Sequence, residues 1–295
     1  MRYQISDQTR ADLFAASLNP DQVVDLIQRA FEEDLQGGED VTSVATIPAD
    51  HLSTGEFRTR ATGVVAGIPI ARAVLETVGI GDIATPILPA HKVESGTVVM
   101  SVRANTRALL LAERTALNFL GHLSGIATLT RRWVDEVSEF GTQIRDTRKT
   151  TPGLRELEKY AVRMGGGTNH RMSLSDAALI KDNHIEAVGG VVKAFQSVRT
   201  LYPNIEVEIE VDTLEQLQEI LLYNPDLVLL DNMSVEECRQ AVEITSGRCK
   251  LEASGGLSLN TARAYAQTGV DYLAVGALTH SAPVFDIGLD LKAEI

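Results

Sequence analysis

Cysteine is nearly absent from this chain: only Cys238 and Cys249 occur in 295 residues, without the CxxC spacing of a zinc or redox motif. That excludes a disulfide framework and a thiolate metal centre, and both thiols are expected to stay reduced. Long apolar runs are missing too. None approaches the roughly 18 residues of a membrane span, and the opening MRYQISDQTRADLF lacks the apolar core of a signal peptide, so a cytoplasmic location is expected. Positive charge is in deficit, 27 Lys and Arg against 40 Asp and Glu, for a formal net charge of -13. Duplex binding relies on clustered cations neutralising phosphates, so a nucleic-acid partner is excluded and a membrane surface disfavoured. A small anion is compatible with this balance, because a locally cationic cleft attracts anions within about 10 Å on an acidic protein.

What is present is a globular composition, 44% apolar and 23% charged, long enough for one sizeable domain and a smaller one. Asn19-Pro20 has the form of a cap followed by proline in the first helical turn, and Val23, Leu26, Ile27 and Ala30 keep helical spacing until Gly37-Gly38. From Ser53 to Thr106 short β-like runs (EFRTR, GVVAG, TVVMSVRA) surround one helix at 70–78, which predicts a small α/β layer domain. Residues 107–140 read as helical, with an interruption near Gly121 or Gly125. Within them Arg114 points out of an apolar stripe formed by Leu110 and Leu117. It is either snorkelling at the core edge or delivered across a subunit interface into a neighbour's site.

After Phe140 the pattern repeats: a short apolar strand, a chemically capable residue at its end, then a helix. Strand ends fall at 145–149, Lys181, Glu210, Asp231, 254–256 and Gly276. Such βα units predict a barrel, and being fewer than eight they predict an open, incomplete one. The run IEVEIEVD (205–212) sets Val207, Ile209 and Val211 on one face and Glu206, Glu208, Glu210 and Asp212 on the other. Inside a barrel those carboxylates need cations, a metal or substrate hydroxyls as partners; the alternative is an antiparallel strand with one wet face. Cations do gather at strand ends: Arg148 and Lys149 after the first, His170 and Arg171 behind GGGTN, Lys181 after the second. Arginine offers a planar fork to a carboxylate or phosphate, lysine a compact charge, and histidine a donor when suitably protonated. Ser254-Gly255-Gly256 and Val275-Gly276-Ala277 leave the last two strands through small residues into helices, a setting for a phosphomonoester. A polycationic pocket, deeper carboxylates and a phosphate cradle, with no nucleophile-base triad, point to group transfer from a phosphorylated sugar.

ERTALN (113–118), DTRKTTPGLR (146–155), GGGTNHR (165–171), LSDAALIKDNH (174–184), EIEVDTLEQL (208–217), LLDNM (229–233), EASGG (252–256) and VDYLAVGALTHS (270–281) together resemble quinolinate phosphoribosyltransferase, in order over most of the chain. The first hundred residues share mainly FEEDLQGGEDVTS. Ala274 stands where many members have serine, which preserves a backbone role and removes a hydroxyl. The resemblance implies an N-terminal α/β sandwich domain (1–125) plus an open α/β barrel of the seven-stranded type (126–283), with 284–295 returning to the first domain. It implies transfer of phosphoribosyl from phosphoribosyl pyrophosphate to quinolinate with decarboxylation, giving nicotinate mononucleotide for NAD biosynthesis. By position, Arg148, Lys149, His170, Arg171 and Lys181, with Thr147, would line the quinolinate pocket. Glu210 and Asp231 would sit near the ribose hydroxyls and Mg2+, and Ser254, Gly255, Gly256 and the 275–277 turn would hold the 5-phosphate. A homodimer is implied, with Arg114 entering the partner's site and a hexamer left open.

Three other readings stand beside it. One is a transferase of this fold that accepts nicotinate without decarboxylation. Another is a barrel aldolase with Lys181 forming a Schiff base, and the third is a non-catalytic binder of phosphoribosyl pyrophosphate.

Overall fold

The computed structural model describes residues 4–88 and 90–293. Its contacts divide the chain into two units, one built from the residues up to Leu129 with Glu156–Gly165 and the chain from Ala282 onward, the other from Thr130–Arg155 and Gly166–Ser281. The elements of the first stretch are α1 (Asp7–Ala15), α2 (Pro20–Leu35), α3 (Val41–Thr46), β1 (Leu52–Thr59), β2 (Gly63–Val64), α4 (Ile68–Thr77), β3 (Ile83–Ala84), β4 (Lys92–Val93), β5 (Val98–Asn105) and α5 (Thr106–Val137). Then come β6 (Gln143–Arg145), α6 (Arg155–Met164), β7 (Ala178–Ile180), α7 (Asp182–Val188), α8 (Val191–Leu201), β8 (Val207–Val211), α9 (Leu214–Leu221) and β9 (Leu227–Asp231). The chain continues with α10 (Val235–Thr245), β10 (Lys250–Ser254), α11 (Leu259–Ala266), β11 (Tyr272–Ala274), α12 (Ala277–His280) and β12 (Ile287–Ala293).

In the first unit α2 begins as its sequence dictates: the Asn19 side chain accepts from the Asp21 and Gln22 N–H groups, and Pro20 occupies the first turn, where no N–H is needed. Its stripe of Val23, Ile27 and Phe31 is buried. The antiparallel sheet runs β12-β1-β5-β3. Along β1, Ser53, Gly55, Phe57 and Thr59 are buried and alternate with more exposed neighbours, the period of a half-buried strand. The late strand expected from the resemblance forms β12, which pairs with β1 from Ser53↔Ala293 to Thr59↔Ile287.

The expected break in the long helix does not occur. α5 runs 32 residues without interruption, because its glycines serve a close approach and not a kink. A Cβ on Gly125 would lie 2.1 Å from the Pro283 carbonyl oxygen, and one on Gly121 3.0 Å from that of Phe285. The Phe285 N–H also donates to the Gly121 carbonyl at 2.9 Å.

The second unit holds a parallel six-stranded sheet ordered β6-β11-β10-β9-β8-β7, with one further parallel bridge from Thr168 to Arg145. All five residues of β8 are buried, and it lies between β7 and β9. The alternative of an antiparallel strand with a wet face is therefore excluded. Glu208 of β8 and Glu252 of β10 lie 2.7 and 3.6 Å from the same His170 Nε2 although β9 separates their strands, so the sheet curves around an interior. Among the described residues β6 and β7 end the sheet unpaired with one another: an open, incomplete α/β barrel.

Candidate active site

Parallel strands send their even-register side chains inward together. The pairings Glu210↔Leu229, Glu252↔Leu229, Ser254↔Asp231 and Ala274↔Arg145 set those residues on the barrel's inner face. At the carboxyl ends of the strands opens a cavity of about 680 Å3, where α/β barrels place their chemistry. Its lining brings together Thr147, Arg148, Lys149, His170, Arg171 and Lys181 with Glu210, Asp231, Ser254, Gly255 and Gly256. Leu229, Asn232, Glu252 and Ala274 line it as well. Val275, Gly276 and Ala277 do not. Their turn supports the loop that carries the cations: Val275 N–H donates to Arg145 O at 2.9 Å, Thr279 Oγ1 donates to Lys149 O at 2.7 Å, and a Cβ on Gly276 would sit 3.1 Å from Lys149 Cδ. Arg114 is exposed on α5 and is not among the lining residues.

The cationic wall carries an unmet demand. Arg171 Nη1 donates to the Ala177 carbonyl at 2.9 Å, but the Nε groups of both Arg171 and Arg148 are buried without a hydrogen-bond partner. Burial first, then the neighbouring Arg148 charge, holds the Arg171 pKa below its ordinary value. Two guanidinium groups left short of acceptors beside a cavity suit a carboxylate-bearing ligand, which supplies the missing oxygens.

Glu210 accepts from Lys181 Nζ at 3.0 Å, and Glu210, Asp212 and Asp231 place ligand oxygens within 4.8 Å of one another. Burial, followed by repulsion from Glu210 and Asp212, raises the Asp231 pKa; burial, then Glu210 and Asp182, raises that of Asp212. Hard oxygen donors that repel each other at this spacing fit Mg2+. At the next strand end Gly255 adopts φ +90°, and a Cβ there would meet Asn232 Oδ1 at 2.1 Å. Asn232 N–H in turn donates to Ser254 O at 2.9 Å. Only glycine fits this turn.

Beneath the cavity lies a charged layer in which sequence reasoning gave a role to His170 alone. Arg145 Nη1 bonds Glu252 Oε2 at 2.8 Å and stacks 4.5 Å from the Tyr272 ring. His170 Nε2 meets Glu208 Oε2 at 2.7 Å. The fully buried Asp146 accepts from His170 N–H at 2.8 Å and Asn169 Nδ2 at 2.5 Å. Burial above all, then repulsion from Glu208, pushes the Glu252 carboxyl up to about 8; burial pushes Glu208 up to about 7 against the pull of Arg145. Each carboxyl also keeps a buried Oε1 with no partner. Protonation of either carboxyl relieves the repulsion between the two. The alternation in IEVEIEVD pointed at Glu208; nothing local in EASGG tied Glu252 to Arg145.

The comparisons with known proteins fit this geometry over most of the chain. The N-terminal domain of quinolinate phosphoribosyl transferase matches residues 40–124 and its C-terminal domain residues 126–290. This chain belongs to the quinolinate phosphoribosyl transferase family. It is 52% identical over 273 residues to a nicotinate-nucleotide pyrophosphorylase [carboxylating] of Mycobacterium leprae, covering 90% of this chain and 96% of that one. Among solved structures it resembles NadC from Streptococcus pyogenes (TM-score 0.90, 37% identity, 94% of this chain and 99% of that chain). It also resembles the nicotinate-nucleotide pyrophosphorylase of Ehrlichia chaffeensis (TM-score 0.87, 40% identity, 91% and 98%). Membership of this family makes the chain a phosphoribosyltransferase and sets aside the aldolase and non-catalytic readings. No helix among the described residues is long and apolar enough to cross a membrane.

Proposed function

We propose that the cavity at the barrel's strand ends joins quinolinate to phosphoribosyl pyrophosphate and releases pyrophosphate and carbon dioxide, leaving nicotinate mononucleotide. The observation that carries this reading is the pair of buried, unpartnered Nε groups on Arg148 and Arg171 in one cavity with Glu210 and Asp231. A dicarboxylate answers the arginines, while carboxylates near the reacting centre answer the positive charge that builds on a ribose anomeric carbon as pyrophosphate departs. The ring nitrogen attacks that carbon. Once alkylated it is a cationic sink beside the carbon that bears the 2-carboxylate; carbon dioxide leaves, and the electron pair left on carbon takes up a proton.

The residues act by positioning and electrostatics. Arg148, Arg171 and Lys149 hold the acceptor's carboxylates, Lys181 restrains Glu210, and the 254–256 turn holds the 5-phosphate through backbone N–H groups. Glu210 and Asp231, with Asp212, would hold Mg2+, which when bound neutralises pyrophosphate charge. Arg114, exposed on α5, is assigned to the cavity of a second copy in a homodimer. The cytoplasm is the compartment assigned, supported by two free thiols and by similarity to bacterial relatives.

The test is paired release of carbon dioxide and pyrophosphate from quinolinate, phosphoribosyl pyrophosphate and Mg2+, with nicotinate as the alternative acceptor. Equal release of both products with quinolinate alone is expected. Pyrophosphate release with nicotinate only would overturn the choice of acceptor.

A further inference from the structure

Both ring nitrogens of His170 are engaged inside the protein. Nδ1 accepts the Arg171 backbone N–H at 2.7 Å, and a nitrogen that accepts carries no proton of its own. The ring proton therefore sits on Nε2, 2.7 Å from Glu208 Oε2 and 3.6 Å from Glu252 Oε1, where it is donated to Glu208. Two competing roles fail on the same geometry. A cation held by Nε2, Glu208 and Glu252, whose ligand atoms lie within 4.8 Å of one another, needs a bare Nε2, and the acceptor role of Nδ1 leaves the proton there. A donation from Nδ1 to a substrate anion needs the Arg171 N–H to be released first.

We infer that His170 is a positioning residue: Nε2–H anchored on Glu208 and Nδ1 holding the Arg171 N–H, its imidazole fixes where the Arg171 guanidinium stands and donates nothing to the substrate. The neighbouring contacts fit that role. His170 N–H is itself fixed on the fully buried Asp146 at 2.8 Å, and the ring is 7% exposed. Arg171 is thus held at its backbone by His170 and at Nη1 by the Ala177 carbonyl, while its buried Nε has no partner in the protein. The acidic layer under the cavity so acts on the cationic wall through one neutral ring.

Two measurements test this. In the native chain labelled with 15N-histidine, with His170→Gln used to assign the signal, NMR should find His170 protonated at Nε2 and bare at Nδ1, both free and saturated with quinolinate. Protonation at Nδ1 in either state would overturn the inference. The kinetic half rests on quinolinate as the acceptor. Gln keeps a donor near the Nε2 position and has no acceptor where Nδ1 stood. His170→Gln should therefore raise the quinolinate KM about tenfold in the native background and add less than about a twofold rise on Arg171→Ala, because the two act as a unit. About tenfold rises in both backgrounds would mean that His170 meets the substrate directly and would sink the proposal. A native chain inert toward quinolinate would overturn the acceptor alone, since ring protonation is read without substrate.

Discussion

Arg148 and Arg171 differ from the surface arginines in having a buried Nε that no protein atom satisfies. Under the proposed role, alanine at either removes a partner of the acceptor's carboxylates, so the quinolinate KM should rise, with a loss of about 2 to 5 kcal/mol in transition-state terms. Steady-state kinetics on both variants checks this; an unchanged KM in both would remove them from the site. The Glu208 and Glu252 carboxyls make a different prediction. Raised above their unfolded values, they keep protons in the folded chain at a pH where the unfolded chain has released them. The stability this contributes is fully present at acid pH and is lost as pH rises through the raised range, up to about 8 for Glu252. The melting temperature should fall between about pH 4.5 and pH 8, the span from the ordinary glutamate value to the raised one, and Glu252→Gln should flatten that fall; an identical slope in the variant would contradict the raised Glu252 pKa. At this scale Lys181 was legible because it ends the apolar run AALI, and His170 and Arg171 because they follow the glycines of GGGTN. The Arg145–Glu252 pair was not, because 107 residues of chain separate its members and only the curvature of the sheet unites them.

At the scale of elements, the strands and helices of the barrel were legible from their repeat, and α2 from its cap. The misreading of α5 is instructive. Glycine inside a helix destabilises it relative to alanine by about 1 kcal/mol, so two of them read locally as a break. What retains them is the backbone of residues 283–285, far along the chain, and no local pattern reports it. Gly125→Ala should accordingly destabilise the protein, by about 1 to 3 kcal/mol as an overpacked contact, where an exposed helix would gain from the change. Thermal or denaturant unfolding decides between the two signs. Gly255 carries a parallel expectation: alanine there meets both an unfavourable φ and Asn232 Oδ1, and should raise the KM for phosphoribosyl pyrophosphate more than that for quinolinate.

For the whole molecule, the proposed homodimer with Arg114 acting in trans has a direct test. Arg114→Ala and Lys181→Ala chains, each inactive alone, should regain about a quarter of the sites when mixed, if pairing is random and each heterodimer keeps one intact site. No recovery despite proven subunit exchange would place Arg114 in its own chain's chemistry.

The strand β12 has a further consequence for how the protein comes into being. Its partner β1 is translated early, but the contacts that cover β1's outer edge come from residues about 230 positions later, as in the pair Arg60–Asp290. Until the ribosome has made nearly all of the chain, β1 presents unpaired N–H and C=O groups, a template for the wrong partner. A nascent or C-terminally clipped chain should depend on chaperones and be prone to aggregate, even with its barrel, and every residue of the cavity, already synthesised.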